Sequence, residues 1–205
     1  MSIQLNFINR SNDGGHSQVV VFQKNAATTF DESAIAWLVI ENCGVSDNRP
    51  FTFPMSMAVD ASDSWGNHTP RLTASNGNMY HVELTRSGDV LSPCGSATSS
   101  REVQVRNDLP RGAINAGIYK DGRLLALKSA IAPGQKAVFE FKPTIWIGAV
   151  SQVVQGSVMD AASVAEVNTE LSLLGILSAD IVLTGGGPGG NAAPFSFHLE
   201  NIQMA

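Results

Sequence analysis

The chain reads as an all-β protein: an antiparallel two-sheet β-sandwich of jelly-roll type, with at most one or two short helices. Three observations predict this. Apolar and polar residues alternate with a period of two over many short runs, the spacing that puts one face of a strand against a core. Turn-forming Gly, Pro, Asn and Asp separate those runs at short intervals. Charged residues make up only 15% of the chain, against about 25% in ordinary soluble domains, and Ser, Thr, Asn, Gln and Gly take their place.

The elements follow in order. Ile3, Leu5 and Phe7 alternate with Gln4 and Asn6, and Val19-Val20-Val21-Phe22 is a short apolar strand. Thr29-x-x-Glu32 has the spacing of a helix capping box. The Trp37-Leu38-Val39-Ile40 run that follows suits a strand equally well, so the stretch stays open between the two. Met79-Tyr80-His81-Val82-Glu83-Leu84 and Val103-Gln104-Val105 alternate again. A hairpin spans 114–130 with Lys120-Asp121-Gly122-Arg123 at its tip, since Asp-Gly tolerates the positive φ of a tight turn. Pro133-Gly134 turns the chain into a strand at 136–142, and further strands are expected at 145–154, 170–174, 180–184 and 195–201. Asp160 is a good N-cap for two helical turns over 160–167. The glycine run 185–191 reads as a surface loop with one strand after it. No boundary or internal repeat stands out, so a single domain over 1–205 is expected.

Charge is distributed unevenly. The chain carries 13 basic and 18 acidic residues, yet 143–205 contain no Lys or Arg, so the net charge of -5 sits in the C-terminal third. Such a stretch is expected to be a buried centre, an assembly surface or a segment that meets a membrane. The absence of any basic cluster argues against nucleic acid and against docking on anionic lipid. The start Met1-Ser2-Ile3-Gln4-Leu5-Asn6 has no charged or long apolar leader, and no apolar run is long enough for a spanning helix. Cytosolic synthesis is expected, with any release by an unconventional route. Cys43 and Cys94 are then expected to be free thiols.

Four groups of residues carry candidate chemistry. Asp60, Asp63, Trp65, Asn67 and His68 share one loop; its oxygens could ligate Ca²⁺, or its indole could stack on a sugar ring while acids and amides bind hydroxyls. A ligand-free turn rich in Asx motifs is the plainer reading. His81 and Glu83 share a strand face, and with His198 they are the candidate ligands for a transition metal. Thr144, Ile145, Trp146, Ile147, Ser151 and Val153 alternate as a barrel-inserting or assembly segment would, or as central strands of a sandwich would. The glycine run lacks the Lys-Ser/Thr of a phosphate loop. No nucleophile motif is present, and no cofactor is expected.

The stretches Phe22-Gln23-Lys24-Asn25, Ala36-Trp37-Leu38-Val39-Ile40-Glu41-Asn42-Cys43-Gly44, 136–148 and 184–189 are similar to a group of small bacterial all-β proteins. The resemblance covers most of the chain and implies an all-β fold without an established activity. A ring-opening dioxygenase label attached to some similar sequences would need converging histidines, so no site residue is carried over. The expectation is a non-enzymatic protein acting through its surfaces, by self-assembly as a homo-oligomer or by binding a protein or glycan. A pore-forming protein and a metal-dependent enzyme on a cupin-like barrel are the alternatives.

Overall fold

A computed structural model describes residues 2–14, 17–27, 34–187 and 192–205. Thr29 and Glu32, His16, and the 188–191 part of the glycine run lie outside them. The described chain is nearly all β, consistent with a sandwich, and no sheet closes into a barrel. Its strands form four four-stranded sheets rather than two. Backbone contacts gather these into two compact units. The first is Met1–Gln23, Ala34–Met55 and Pro143–Ala205, and the second Lys24–Ser33 and Ser56–Lys142.

The first unit takes its strands from both ends of the chain. They are β1 (Ser2–Asn9), β2 (Gln18–Phe22), β3 (Leu38–Ile40) and β4 (Asn48–Pro54), then β13 (Thr144–Val150), β14 (Thr169–Ser172), β15 (Ile176–Gly186) and β16 (Ala193–Met204). One sheet runs β16-β15-β1-β4 and the other β14-β13-β2-β3. β1 and β15 pair in parallel, from Gln4 against Ser178 to Asn9 against Leu183, a departure from the all-antiparallel expectation. Alternation on β1 buries Ile3, Leu5 and Phe7 on one face, with Phe53 opposite Ile3 and Phe51 opposite Leu5 on β4. The fully buried Trp37 meets Phe53 edge-on at 5.3 Å. The stretch left open between helix and strand is thus strand at Leu38–Ile40, where β-branched residues pack on both faces.

The one helix among the described residues, α1 (Ala161–Glu166), covers the far side of the second sheet, where Val20, Phe22, Ala36, Val150, Val153, Met159 and Val167 form a cluster. Asp160 caps it, its carboxylate accepting from Ser163 N at 2.7 Å. The approach requires Gly148 on β13: a Cβ there would lie 2.5 Å from Val167 Cα.

The second unit contains β5 (Met57–Ser62), β6 (Leu72–Ala74), β7 (Asn78–Thr85), β8 (Gly88–Ser96), β9 (Glu102–Asn107), β10 (Ile114–Lys120), β11 (Arg123–Ile131) and β12 (Lys136–Glu140). Its sheets run β11-β10-β5-β6 and β12-β9-β7-β8, with β7 and β9 parallel. The expected hairpin is β10–β11, with Lys120 opposite Arg123 and positive φ at Asp121 and Gly122. Buried Asn107 organises the turn beyond β9, donating to the carbonyls of Gly112 and Ile131 and accepting from Leu109 N. Cys43 and Cys94 are both free thiols, and burial pushes each above its ordinary pKa.

Candidate functional site

The residues of the loop after β5 come together, for two separate reasons. Asp63 holds the turn. One carboxylate oxygen accepts from Trp65 N at 2.8 Å and Asn67 N at 2.9 Å, and the other accepts from the Asn67 side-chain amide at 2.8 Å. Those bonds keep its carboxyl below the usual range, the Asn67 side chain contributing most. Gly66 supplies the positive φ of the turn, and Ser62 bridges His68 at its base. Trp65, at the crest, is 88% exposed.

Asp60 does different work. It is a carboxylate only 3% exposed, and burying it is tolerable because it is ringed by donors. His68 Nδ1 lies 3.0 Å from one oxygen and Arg71 Nε 3.8 Å from the same one. Tyr119 on β10 hydrogen-bonds Asp60, and its ring carries the Arg71 guanidinium 3.6 Å from its centroid. Burial first, then the Asp60 charge, pushes the Tyr119 phenol up to about 12. Space for this cluster comes from Gly117, directly across the ladder from Asp60; a Cβ there would meet Asp60 Oδ1 at 2.7 Å and Tyr119 Cε2 at 2.9 Å.

With Nδ1 bound to Asp60, Nε2 of the half-exposed His68 ring stays available for a further hydrogen bond. His68 lines a cavity of about 260 Å³ together with Asp63, Asn67, Thr69, Asp89 and Ile114. The Thr69 hydroxyl oxygen already accepts from Ala61 N, so its O–H remains a donor. The cavity therefore offers acids, an amide, a hydroxyl and an imidazole beside an apolar wall.

The other candidate residues fall elsewhere. His81 and Glu83 do share a face of β7, with His81 Nε2 3.8 Å from Glu83, but the closer partner of His81 is Asp108, at 2.7 Å from Nδ1. Asp108 also binds Arg106 at 2.7 Å, and that arginine does most to lower its carboxyl pKa. His198 belongs to the first unit and pairs with Glu200 at 3.0 Å, which also holds Arg10. His81, Glu83 and His198 thus do not form one ligand set, and no three His, Cys, Asp or Glu side chains among the described residues are grouped to hold a metal ion. Thr144, Ile145, Trp146 and Ile147 lie on β13, hydrogen-bonded between β14 and β2. Ile145 and Ile147 are fully buried, Val153 joins the cluster under α1, Trp146 packs against Phe22 and that cluster, and Ser151 is exposed just past the strand. No helix among the described residues is long and apolar enough to cross a membrane.

Tyr119, Arg71 and Gly117 escape sequence reading. They reach the Asp60 cluster through strand pairing and the return of the chain into β6, and no local motif announces them.

The architecture defines a class of all-β protein with two sandwich-like units and a polar surface cavity in the second. The family model that the chain matches, over residues 2–184, is that of RhiA, and the chain belongs to the RhiA family. The match ends in β15, short of the glycine run and β16. No curated protein and no solved structure matches the chain significantly.

Proposed function

We propose that the chain is a non-enzymatic recognition protein that binds the hydroxyl groups of a saccharide, or a similar polyol, at the cavity beside the loop after β5. The observation that carries this reading is Trp65. An indole stands 88% exposed at the crest of a turn pinned by four Asp63–Asn67 and Asp63–Trp65 hydrogen bonds, so its backbone is held while its ring faces solvent. It is also rigid enough to stack on the C–H face of a sugar ring with little ordering cost. The two ends of the same turn, Asp63 and Asn67, line a cavity whose His68 is held in one orientation by a buried carboxylate. Alternating acceptors and donors at that rim match vicinal hydroxyls.

Titration of saccharides followed by tryptophan fluorescence tests the reading. Trp37 is buried and Trp146 half-buried, so a quenchable signal reports Trp65. A small open site of this kind predicts weak binding, with Kd on the order of 0.1–1 mM. His68→Ala removes the signal, and Trp65→Ala removes the binding read by calorimetry, while both leave the fold intact. A panel of neutral and acidic saccharides that leaves the fluorescence unchanged at tens of millimolar refutes the proposal. Cleavage of a bound saccharide refutes its non-enzymatic part.

A further inference from the structure

Each four-stranded sheet has two edges, and seven of the eight edges among the described residues carry a device that discourages pairing with another chain. β3, β6 and β14 are three or four residues long. β4 carries Arg49, Pro50 and Pro54; β8 carries Pro93 and a bulge against β7; β11 carries Arg123 and Lys128; β12 carries Lys136. β16 differs. It is the longest strand described, and it lies in the basic-free third. Pro194 and the positive φ of Asn201 guard its two ends, but between them 195–200 holds no Lys, Arg or Pro, and its register against β15 is regular from Ser196 to Glu200. Phe195, Ile202 and Met204 flank this open run and are exposed at 37%, 48% and 62%.

We propose that β16 pairs antiparallel with β16 of a second copy of this chain, about a twofold axis through Leu199. Side-chain complementarity selects both partner and register. His198 and Glu200 project from the same face of β16. An axis through Leu199 places His198 opposite Glu200 of the second copy, twice by symmetry. An axis through His198 would set histidine against histidine, and one through Glu200 would set carboxylate against carboxylate. Only even offsets keep outward-facing amides opposite outward-facing carbonyls, so registers between these are not available. About Leu199 the ladder covers 198–200 inside the regular run and reaches 196–202, about 23 Å at ~3.3 Å per residue, once it passes the turned backbone of Asn201. With the flanking apolar side chains it gives an interface on the order of 1,000 Å², the lower end of specific association. The dimer is therefore concentration-dependent. It uses the first unit and does not depend on the saccharide reading.

Sedimentation velocity on the full chain tests this, with His198→Glu and Glu200→Lys as paired variants. Wild type is expected to move from 21.7 kDa toward twice that mass as concentration rises. Each variant alone is expected to weaken self-association at least about tenfold, because opposed pairs become like-charged or lose their attraction. An equimolar mixture of the two restores it. The carboxylate introduced at position 198 of one copy then faces the ammonium introduced at position 200 of the other, and the unaltered His198 and Glu200 face each other across the axis. Both positions reach solvent, and recovery on mixing shows that each variant is folded. A wild type that stays monomeric at every concentration overturns the proposal. So does an oligomer that both variants retain, or a mixture that associates no better than its components.

Discussion

Raising pH from 10 to 12 should destabilise the second unit through Tyr119. The phenol has an ordinary pKa of 10.0 and is pushed up to about 12 in the folded chain. Folding thus favours its protonated form, so the stability it supplies is complete below pH 10 and lost as pH rises through 12. Two pH units correspond to about 2.7 kcal/mol at most; with the half-exposed His68 and Arg71 beside it, solvent screening brings the expected loss to about 1–2 kcal/mol. Burial is the larger cause and the Asp60 carboxylate the second. Asp60→Asn should accordingly lower the midpoint only part of the way toward 10. It should also cost about 2 kcal/mol at neutral pH, because hydrogen bonds to a charged, buried acceptor are lost. The chain has two tyrosines, so phenolate absorbance in a Tyr80→Phe background follows Tyr119 alone, and urea unfolding at stepped pH follows stability. A midpoint near 10 in the parent, or one that Asp60→Asn leaves unmoved, would refute the cluster geometry.

Three further outcomes are expected. Gly148→Ala should cost about 1–3 kcal/mol by overpacking, because its Cβ would lie 2.5 Å from Val167 Cα and 2.6 Å from Glu166 O; urea denaturation measures it. Asp160→Ala removes the cap that accepts from Ser163 N and should cost about 1 kcal/mol, with hydrogen exchange over Ala161–Glu166 rising before the sheets open. Ile147→Ala, in a fully buried position on β13, should cost about 2–5 kcal/mol in the same urea measurement; a near-zero effect would mean that β13 is not held in the core.

Period-two patterning made β1, β7 and β12 legible, because each alternates buried with more exposed side chains; β2 was legible as an apolar run, β9 from its Val-Gln-Val alternation although Gln104 is buried too, and the β10–β11 hairpin from its Asp-Gly turn. β5 and β8 were not legible. Met57–Ser62 buries four successive residues, Val59, Asp60, Ala61 and Ser62, so no alternation remains. Gly88–Ser96 is an edge strand containing Pro93 and Gly95, residues that normally signal a turn. Strands missed this way explain why two sheets were expected where four exist. Within the site, the Asp60–His68 loop could be found because its residues are neighbours in sequence. Tyr119 is brought in by the β10–β5 ladder, and Arg71 by the return of the chain into β6, relations that only the completed fold supplies.

The chain order of the two units has a consequence for biosynthesis. β5–β12 all emerge before β13, so a ribosome releases every strand of the second unit while half of the first is still unmade. β1 can find β4 early, but its parallel partner β15, which meets Gln4 at Ser178, arrives after the whole second unit. The nascent chain therefore carries the β1, β2, β3 and β4 strands, with their large apolar faces, through a waiting period set by translation rate rather than by folding. During that interval the first unit lacks half its strands, and Pro143 marks the point from which its closure can begin.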